Sequence, residues 1–269
     1  MFEQHTSKTN SSWILPLGIF HRTRRLYGMQ YCPICLKHDQ IPYFRCVWRL
    51  AISTVCFEHR VMIRDCCPTC SAPVIFSRID MTSRTVAPSA QINTCYRCKA
   101  DLSDGCAIPT TGLGLTPAHE TALKAWHLGL NQGWVQIGKL TIQYSTLAFA
   151  VLRQLCRLLA SNYNGRKLPY QMLAEQIGIP YQPAVDSYFE NNRIETRHSV
   201  LLIAIWLLDD WPERFVRVAV DARLSSAWIL RDMHRPVPYW FAKVVDQYLF
   251  TPGKPIGTTP INGLITRSQ

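Results

Sequence analysis

Long apolar runs are missing from this 269-residue chain: the longest, Val200 to Leu208, has nine residues, where about 20 are needed to cross a bilayer. A membrane-spanning helix is therefore not expected, and the sequence reads as soluble. The stretch Trp13 to Phe20 holds Pro16 and Gly18, lacks a small-residue cleavage site and runs into Arg22, Arg24 and Arg25, so no export signal is read. Acidic residues are also scarce, with 18 Asp and Glu against 29 Lys and Arg, a net charge of +11. The excess is spread over both halves, with no basic tail. Such a surface suits a polyanionic partner, nucleic acid before membrane, because no lysine-rich amphipathic helix or lipidation motif accompanies it. Catalytic signatures are missing too. There is no Walker A or dinucleotide-binding glycine pattern, and His119-Glu120 lacks the second histidine of a zinc protease, so no enzymatic activity is expected. With 48% apolar and 17% charged residues, disorder is excluded as well.

Cysteine is plentiful and unevenly placed. Ten of the eleven lie between Cys32 and Cys106, and three Cys-x2-Cys pairs punctuate that stretch. A two-residue gap lets both thiolates of one tight turn reach the same ion, whereas a disulfide across it would be strained. Cys32 and Cys35 are followed, after 20 residues, by Cys56-Phe57-Glu58-His59, giving three thiolates and one imidazole. Cys67 and Cys70, then Cys95 and Cys98 after 24 residues, give four thiolates in zinc-ribbon spacing. Cys67 is chosen over Cys66 because Cys67-Pro-Thr-Cys70 repeats the Cys-Pro-x-Cys form of Cys32-Pro-Ile-Cys35. Val74 and Leu102 each stand four residues past the second cysteine of their pair, as two hairpins sharing one small core require. Two structural Zn2+ per chain are expected, in saturated ligand sets with no open position for water. Cys46, Cys66, Cys106 and Cys156 have no partner at ligand spacing and are expected to be buried thiols.

The expected fold is mainly α with small zinc-ribbon β hairpins: a short basic leader (1–31), a double zinc-binding module (32–109), a helical region with a helix-turn-helix-like segment (117–250) and a tail (251–269). Short strands are assigned to the zinc module, and Pro109 to Pro117 to a linker. Helices are expected from Leu147 to Leu159, ending before Asn164-Gly165, from Pro169 to Gln176, from Thr196 to Asp209 and from Pro212 to Ala222. Leu173-Ala174-Glu-Gln-Ile177-Gly178-Ile179 has helix-turn-helix spacing, with a second helix expected after Pro180 and Pro183 through Phe189. On that helix Gln182, Ser187 and Asn191 are base-reading candidates beside the unfavourable Asp186 and Glu190. Asp209-Asp210, next to Trp211-Pro212, is read as ending one helix and capping the next, and the isolated His21, His198 and His234 as surface or packing residues. Candidate phosphate-binding side chains are Arg22, Arg24, Arg25, Arg45, Arg49, Arg60 and Arg64, which flank the first ligand set and interleave with Tyr43, Phe44 and Trp48.

Trp13-Ile-Leu-Pro-Leu-Gly-Ile-Phe-His-Arg-Thr-Arg-Arg25, Tyr31-Cys-Pro-Ile-Cys-Leu36, Pro42-Tyr-Phe-Arg-Cys-Val-Trp-Arg-Leu50, Val55-Cys-Phe-Glu-His59 and Asp65-Cys-Cys-Pro-Thr-Cys70 together resemble the TniQ family of transposition target-selection proteins, which includes TnsD-like proteins. Arg197-His198 and Trp206 to Phe215 look like the family's helical section. The resemblance implies a non-enzymatic adaptor that binds target DNA or a guide-RNA effector complex and recruits an AAA+ transposition ATPase. It implies a bacterial, cytoplasmic, nucleoid-associated protein, with Cys32, Cys35, Cys56 and His59 as one zinc site and Cys67, Cys70, Cys95 and Cys98 as the other. Glu190, Glu195 and Glu213 are the candidate ATPase contacts. Only 31 residues precede Cys32, fewer than in many family members. The alternatives are a zinc-dependent DNA-binding transcription regulator and a truncated remnant of a TniQ protein.

Overall fold

Two units make up the computed structural model, which describes residues 12–17, 26–75, 91–140, 142–161, 167–231, 233 and 237–249. The first comprises Met1–Thr116 with Tyr188–Ser199, the second Pro117–Ser187 with Val200–Gln269.

In the first unit regular structure is short, because turns rather than ladders set its path. Helix α1 (Pro33–His38) starts on Cys32, with proline at its first position where the missing N–H costs nothing. Strands β1 (Val55–Cys56), β2 (Val61–Met62) and β3 (Ile108–Pro109) form one antiparallel sheet with β2 in the middle. Cys56 pairs with Val61, and Val61 with Pro109. Proline is tolerated at the last position because β3 is an edge strand. A 3₁₀ turn, Cys46–Arg49, buries Trp48. Met29, Tyr31, Leu36, Trp48, Ile63, Val74, Leu102 and Ile194 close over the cysteines in one apolar cluster.

Ile194 opens α5 (Ile194–Asp209), whose first turn belongs to this unit. Asp65, almost fully buried, accepts from Arg193 Nε at 3.1 and 3.2 Å and from the Ile194 N–H at 2.9 Å. The fully buried Arg197 donates to the Asn192 carbonyl at 3.0 Å, the Ala51 carbonyl at 3.2 Å and Gln30 Oε1 at 2.8 Å. Burial pushes its guanidinium down to about 10, so it remains charged at neutral pH, and its hydrogen bonds offset desolvation. His198 meets Thr54 Oγ1 through Nδ1 at 2.9 Å.

The second unit is helical apart from one hairpin. It contains α2 (Pro117–Gln132), β4 (Trp134–Val135) paired with β5 (Gln143–Tyr144), α3 (Ser145–Ala160) and α4 (Tyr170–Ile177). The remainder of α5 follows, then α6 (Glu213–Asp221), α7 (Ser226–Leu230) and α8 (Tyr239–Tyr248). From Val200 to Ile205 every α5 side chain is buried, as its all-round apolar sequence requires. By contrast α6 is two-sided, burying Phe215, Val216, Val218 and Ala219 while Arg217 is exposed. Trp211 stacks on Phe215 at 5.0 Å and Phe241 at 5.6 Å and meets Trp240 edge-on at 5.1 Å. Its peptide bond to Pro212 is cis. Gly178 ends α4 in the left-handed conformation at φ 71°, and the Ile179 N–H returns to the Ala174 carbonyl, a cap that favours glycine.

Several expectations change. Residues 180–188 are not helical, and only a 3₁₀ turn, Phe189–Asn191, follows them. Pro180 and Pro183 supply no amide donor, and the Tyr170 hydroxyl donates to the Gln182 carbonyl at 2.8 Å, holding the segment out of a helix. Gln182, Ser187 and Asn191 therefore share no helix face. Strands are not confined to the cysteine-rich stretch, since β4 and β5 lie beyond it. The presumed linker is structured: Pro109 pairs in β3, Thr110–Leu113 form a 3₁₀ turn, and Thr110 is buried. Cys46 and Cys106 are exposed, while Cys156 is buried and Cys66 partly so. At Cys46 the turn sends Trp48 inward instead. Glu190 is buried, with its carboxylate accepting the Trp13 N–H at 3.0 Å, so it does not offer itself to a partner. Asp209 ends α5, but the next helix is capped by Pro212 without a side-chain bond. Arg22, Arg24, Arg25, His21, His234, Asn164 and Gly165 lie outside the described residues.

Candidate metal centres

The first set draws on two local structures. Cys32 is the N-cap of α1, and its sulfur accepts the Cys35 N–H at 3.5 Å. The short helix thus presents both thiols from one turn. Cys56 ends β1, and His59 lies in the turn that returns to β2, where Arg60 takes a positive φ of 52°. His59 Nδ1 lies 3.7 Å from Cys32 Sγ, 3.3 Å from Cys35 Sγ and 3.5 Å from Cys56 Sγ, and Cys35 and Cys56 sulfurs are 3.7 Å apart.

The second set is built from two copies of one turn. The Cys67 N–H bonds the Ala72 carbonyl at 2.8 Å and the Ser71 N–H the Cys67 carbonyl at 3.0 Å. Cys95 with Ala100, and Lys99 with Cys95, repeat these bonds at 2.8 and 3.0 Å. Ser71 and Lys99, each just past a cysteine, share positive φ values of 56° and 64°. Val74 and Leu102 both enter the common core, as their matched spacing led us to expect. Across the set, Cys67 and Cys98 sulfurs are 3.6 Å apart and Cys70 and Cys95 sulfurs 3.7 Å. Cys67, not Cys66, is in the cluster.

In each set the four ligand atoms lie within 4.8 Å of one another. Four sulfurs at about 2.3 Å from a tetrahedral ion stand about 3.8 Å apart, with slightly shorter edges to nitrogen. The spacings above fit that shell. Electrostatics also favours a cation: the hydrogen bond from Cys32 pulls the Cys56 thiol down to about 5, and the Ala100 N–H pulls Cys98 down to about 7. Each cluster thereby offers a thiolate near neutral pH, the form that binds metal. Both clusters could hold a metal ion, two in all.

The arginines around the first cluster are largely occupied. Arg45 makes two 3.0 Å bonds to Asp39 and stacks over Tyr43 and Trp48 at 4.6 and 4.8 Å. Arg49 donates to the carbonyls of Gly28 at 2.7 Å and Leu15 at 2.8 Å. Arg64 Nη2 donates to the Cys106 carbonyl, while Arg60 is exposed.

This geometry frames what the chain is similar to. Residues 2–63 match the TniQ family model. The TniQ match contains all four ligands of the first cluster and stops short of Cys67, so the second cluster and nearly all of the helical unit lie beyond it. It bears out the resemblance and supports a transposition-associated protein in general terms. No curated protein and no solved structure matches the chain. Among the described residues no helix is long and apolar enough to cross a membrane.

The sequence reading missed the side chains that tie α5 to the metal-binding stretch. Asp65 immediately precedes the Cys66-Cys67 pair, and its partner Arg193 is far along the chain, so no local pattern joins them. Arg193 also covers the Tyr27 ring at 4.1 Å. Burial works against its charge, but the Asp65 hydrogen bonds and charge raise its pKa.

Proposed function

We propose that this chain is a non-enzymatic transposition adaptor that binds target nucleic acid through the basic face around its first zinc site and recruits an AAA+ transposition ATPase. Target DNA and a guide-RNA effector complex are the two forms that target takes in the family it resembles. The observation that carries this reading is the TniQ match over residues 2–63, which encloses a complete four-ligand cluster. Both clusters, filled by zinc, use every coordination position on protein ligands. The metals then shape a binding surface rather than activate water. The net charge of +11 supports a polyanionic target.

The test has two arms. Duplex DNA is titrated against the purified protein over a series of salt concentrations. Affinity is expected to fall steeply with salt as counterions are released from phosphates. Replacing Arg22, Arg24 and Arg25 together by Ala should weaken binding and flatten the slope. In the second arm, the ATPase encoded beside the protein is pulled down with ATP and DNA present. Specific DNA binding without ATPase retention would favour a transcription regulator instead.

A further inference from the structure

The helical unit contains an open groove of about 990 Å³ that the proposed reading does not use. Its walls are side chains of two helices: Ala122, Ala125 and Leu128 of α2, and Leu202, Ile205 and Trp206 of α5. Apolar surface dominates the lining. Leu128 and Trp134 at the groove are 47% and 42% exposed, well above what side chains of their size show when covered.

Polar groups gather at one end. Gln136 and Gly138 line that end, and a Cβ on Gly138 would lie 2.8 Å from the Trp211 backbone nitrogen, so the chain after β4 abuts the corner between α5 and α6. Asp209 and Arg214 line the groove from the same corner. Arg214 is drawn over the Trp206 ring at 4.2 Å and donates to the Trp206 carbonyl. Its nearest carboxylate oxygens, on Asp209 and Asp210, are 3.9 and 3.7 Å away, and those side chains are 68% and 45% exposed. These distances exceed a hydrogen bond. The carboxylates therefore keep acceptor capacity for a cation from outside.

We propose that this groove docks an amphipathic helix of a partner protein, with its apolar face against α2 and α5 and a basic side chain at the Asp209 end. Two observations select that occupant. The walls present side chains and few free backbone groups, so an occupant must satisfy its own backbone hydrogen bonds, which a helix does. The acidic corner repels phosphate and attracts lysine or arginine, which selects protein over nucleic acid. The lining of α2 from Ala118 to Gln132 extends about 21 Å, the length of a helix of some 14 residues at 1.5 Å each. The inference concerns a surface outside the TniQ match and does not require the target-binding reading.

The test is selection on the intact, metal-loaded protein from a displayed library of helical peptides. Apolar residues are fixed at i, i+3, i+4 and i+7, and the other positions vary among Lys, Glu and Gln. Enriched peptides are expected to carry a lysine near one end and to lose about tenfold or more in affinity against Leu128→Asp and against Ala125→Arg. Both substituted positions are exposed on α2, and unchanged thermal unfolding of each variant shows that the fold is intact. Asp209→Asn should cost about threefold for lysine-bearing peptides and nothing for their glutamine counterparts, in keeping with an exposed ion pair. Absence of enrichment, equal binding to the α2 variants, or enrichment of acidic peptides overturns the proposal.

Discussion

The two ligand clusters hold the same number of donors but differ in what surrounds them. In the first, Cys32, Cys35 and Cys56 are buried and only His59 is partly open. The helix and strands that carry them belong to the unit's apolar core. In the second, Cys98 is exposed and Cys70 partly so, and the ligands stand on two turns closed mainly by their own backbone bonds. Metal at the first cluster thus holds together elements distant in sequence, while metal at the second holds two adjacent turns. The difference predicts unequal consequences of losing one ion.

The largest expected effect breaks that inequality open. Structural zinc contributes about 10–16 kcal/mol of apparent binding free energy near neutral pH in small zinc modules, and this is folding free energy. Cys35→Ser should remove one of two zinc ions, as read by metal analysis, and open the whole N-terminal unit to hydrogen exchange. Cys98→Ser should also remove one ion but expose only the segment around residues 91–104. Equal exchange profiles would show that the two sites support the fold to the same extent. Acid should act in the same order. Thiolates bind metal and thiols do not, so affinity falls as the pH falls, and the more exposed second site should release its ion first.

A smaller effect comes from the anchor between α5 and the metal-binding stretch. Asp65→Ala leaves Arg193 without its carboxylate and the Ile194 N–H without its acceptor. Removing one partner of a buried pair costs about 3–5 kcal/mol, and the one-third exposure of Arg193 places this change at the low end. Unfolding in denaturant should show the loss with both zinc ions retained. Loss of an ion would mean that Asp65 supports the second cluster directly.

What the sequence made legible follows from the range of each interaction. The ligand sets could be read because both partners of a knuckle lie within four residues, and the matched positions of Val74 and Leu102 carried their pairing as well. Helices α3, α4 and α6 were legible from spacing, proline and Gly178. The helix through Phe189 was not, because proline at its start has to be weighed against the long-range hold of Tyr170 on Gln182. The roles of Arg45, Glu190 and Arg197 were equally hidden, since charge alone does not say whether a side chain meets solvent or a partner. Arg45 is held by nearby Asp39, Glu190 by Trp13, and Arg197 by Gln30 and Ala51.

Gly178 sharpens the contrast between the metal-dependent and helical units. At φ 71°, alanine is strained, and Gly178→Ala should destabilise by about 1 kcal/mol. Because the residue lies in the helical unit, zinc content and the exchange pattern of the first unit should stay as in the parent. A lost zinc ion would show that the strain reaches further than the cap.

The smallest expected effect separates sulfur as ligand from sulfur as packing. Cys66 stands next to Cys67 yet lies outside the cluster, and its sulfur accepts from Arg193 Nη2 at 3.2 Å. A serine hydroxyl supplies an acceptor at the same place, so Cys66→Ser should change stability by no more than about 0.5 kcal/mol, the range of a substitution that keeps its hydrogen bond. Both zinc ions should remain. Cys67→Ser removes a ligand and should lose one ion, although the two substitutions are chemically identical and one residue apart. The register explains the asymmetry: the Cys67 N–H and carbonyl close the knuckle with Ala72 and Ser71, while Cys66 forms the bridge to Pro73 just before it. If Cys66→Ser lost zinc and Cys67→Ser kept it, the knuckle would have to begin one residue earlier, and its match to the Cys95 turn would fail.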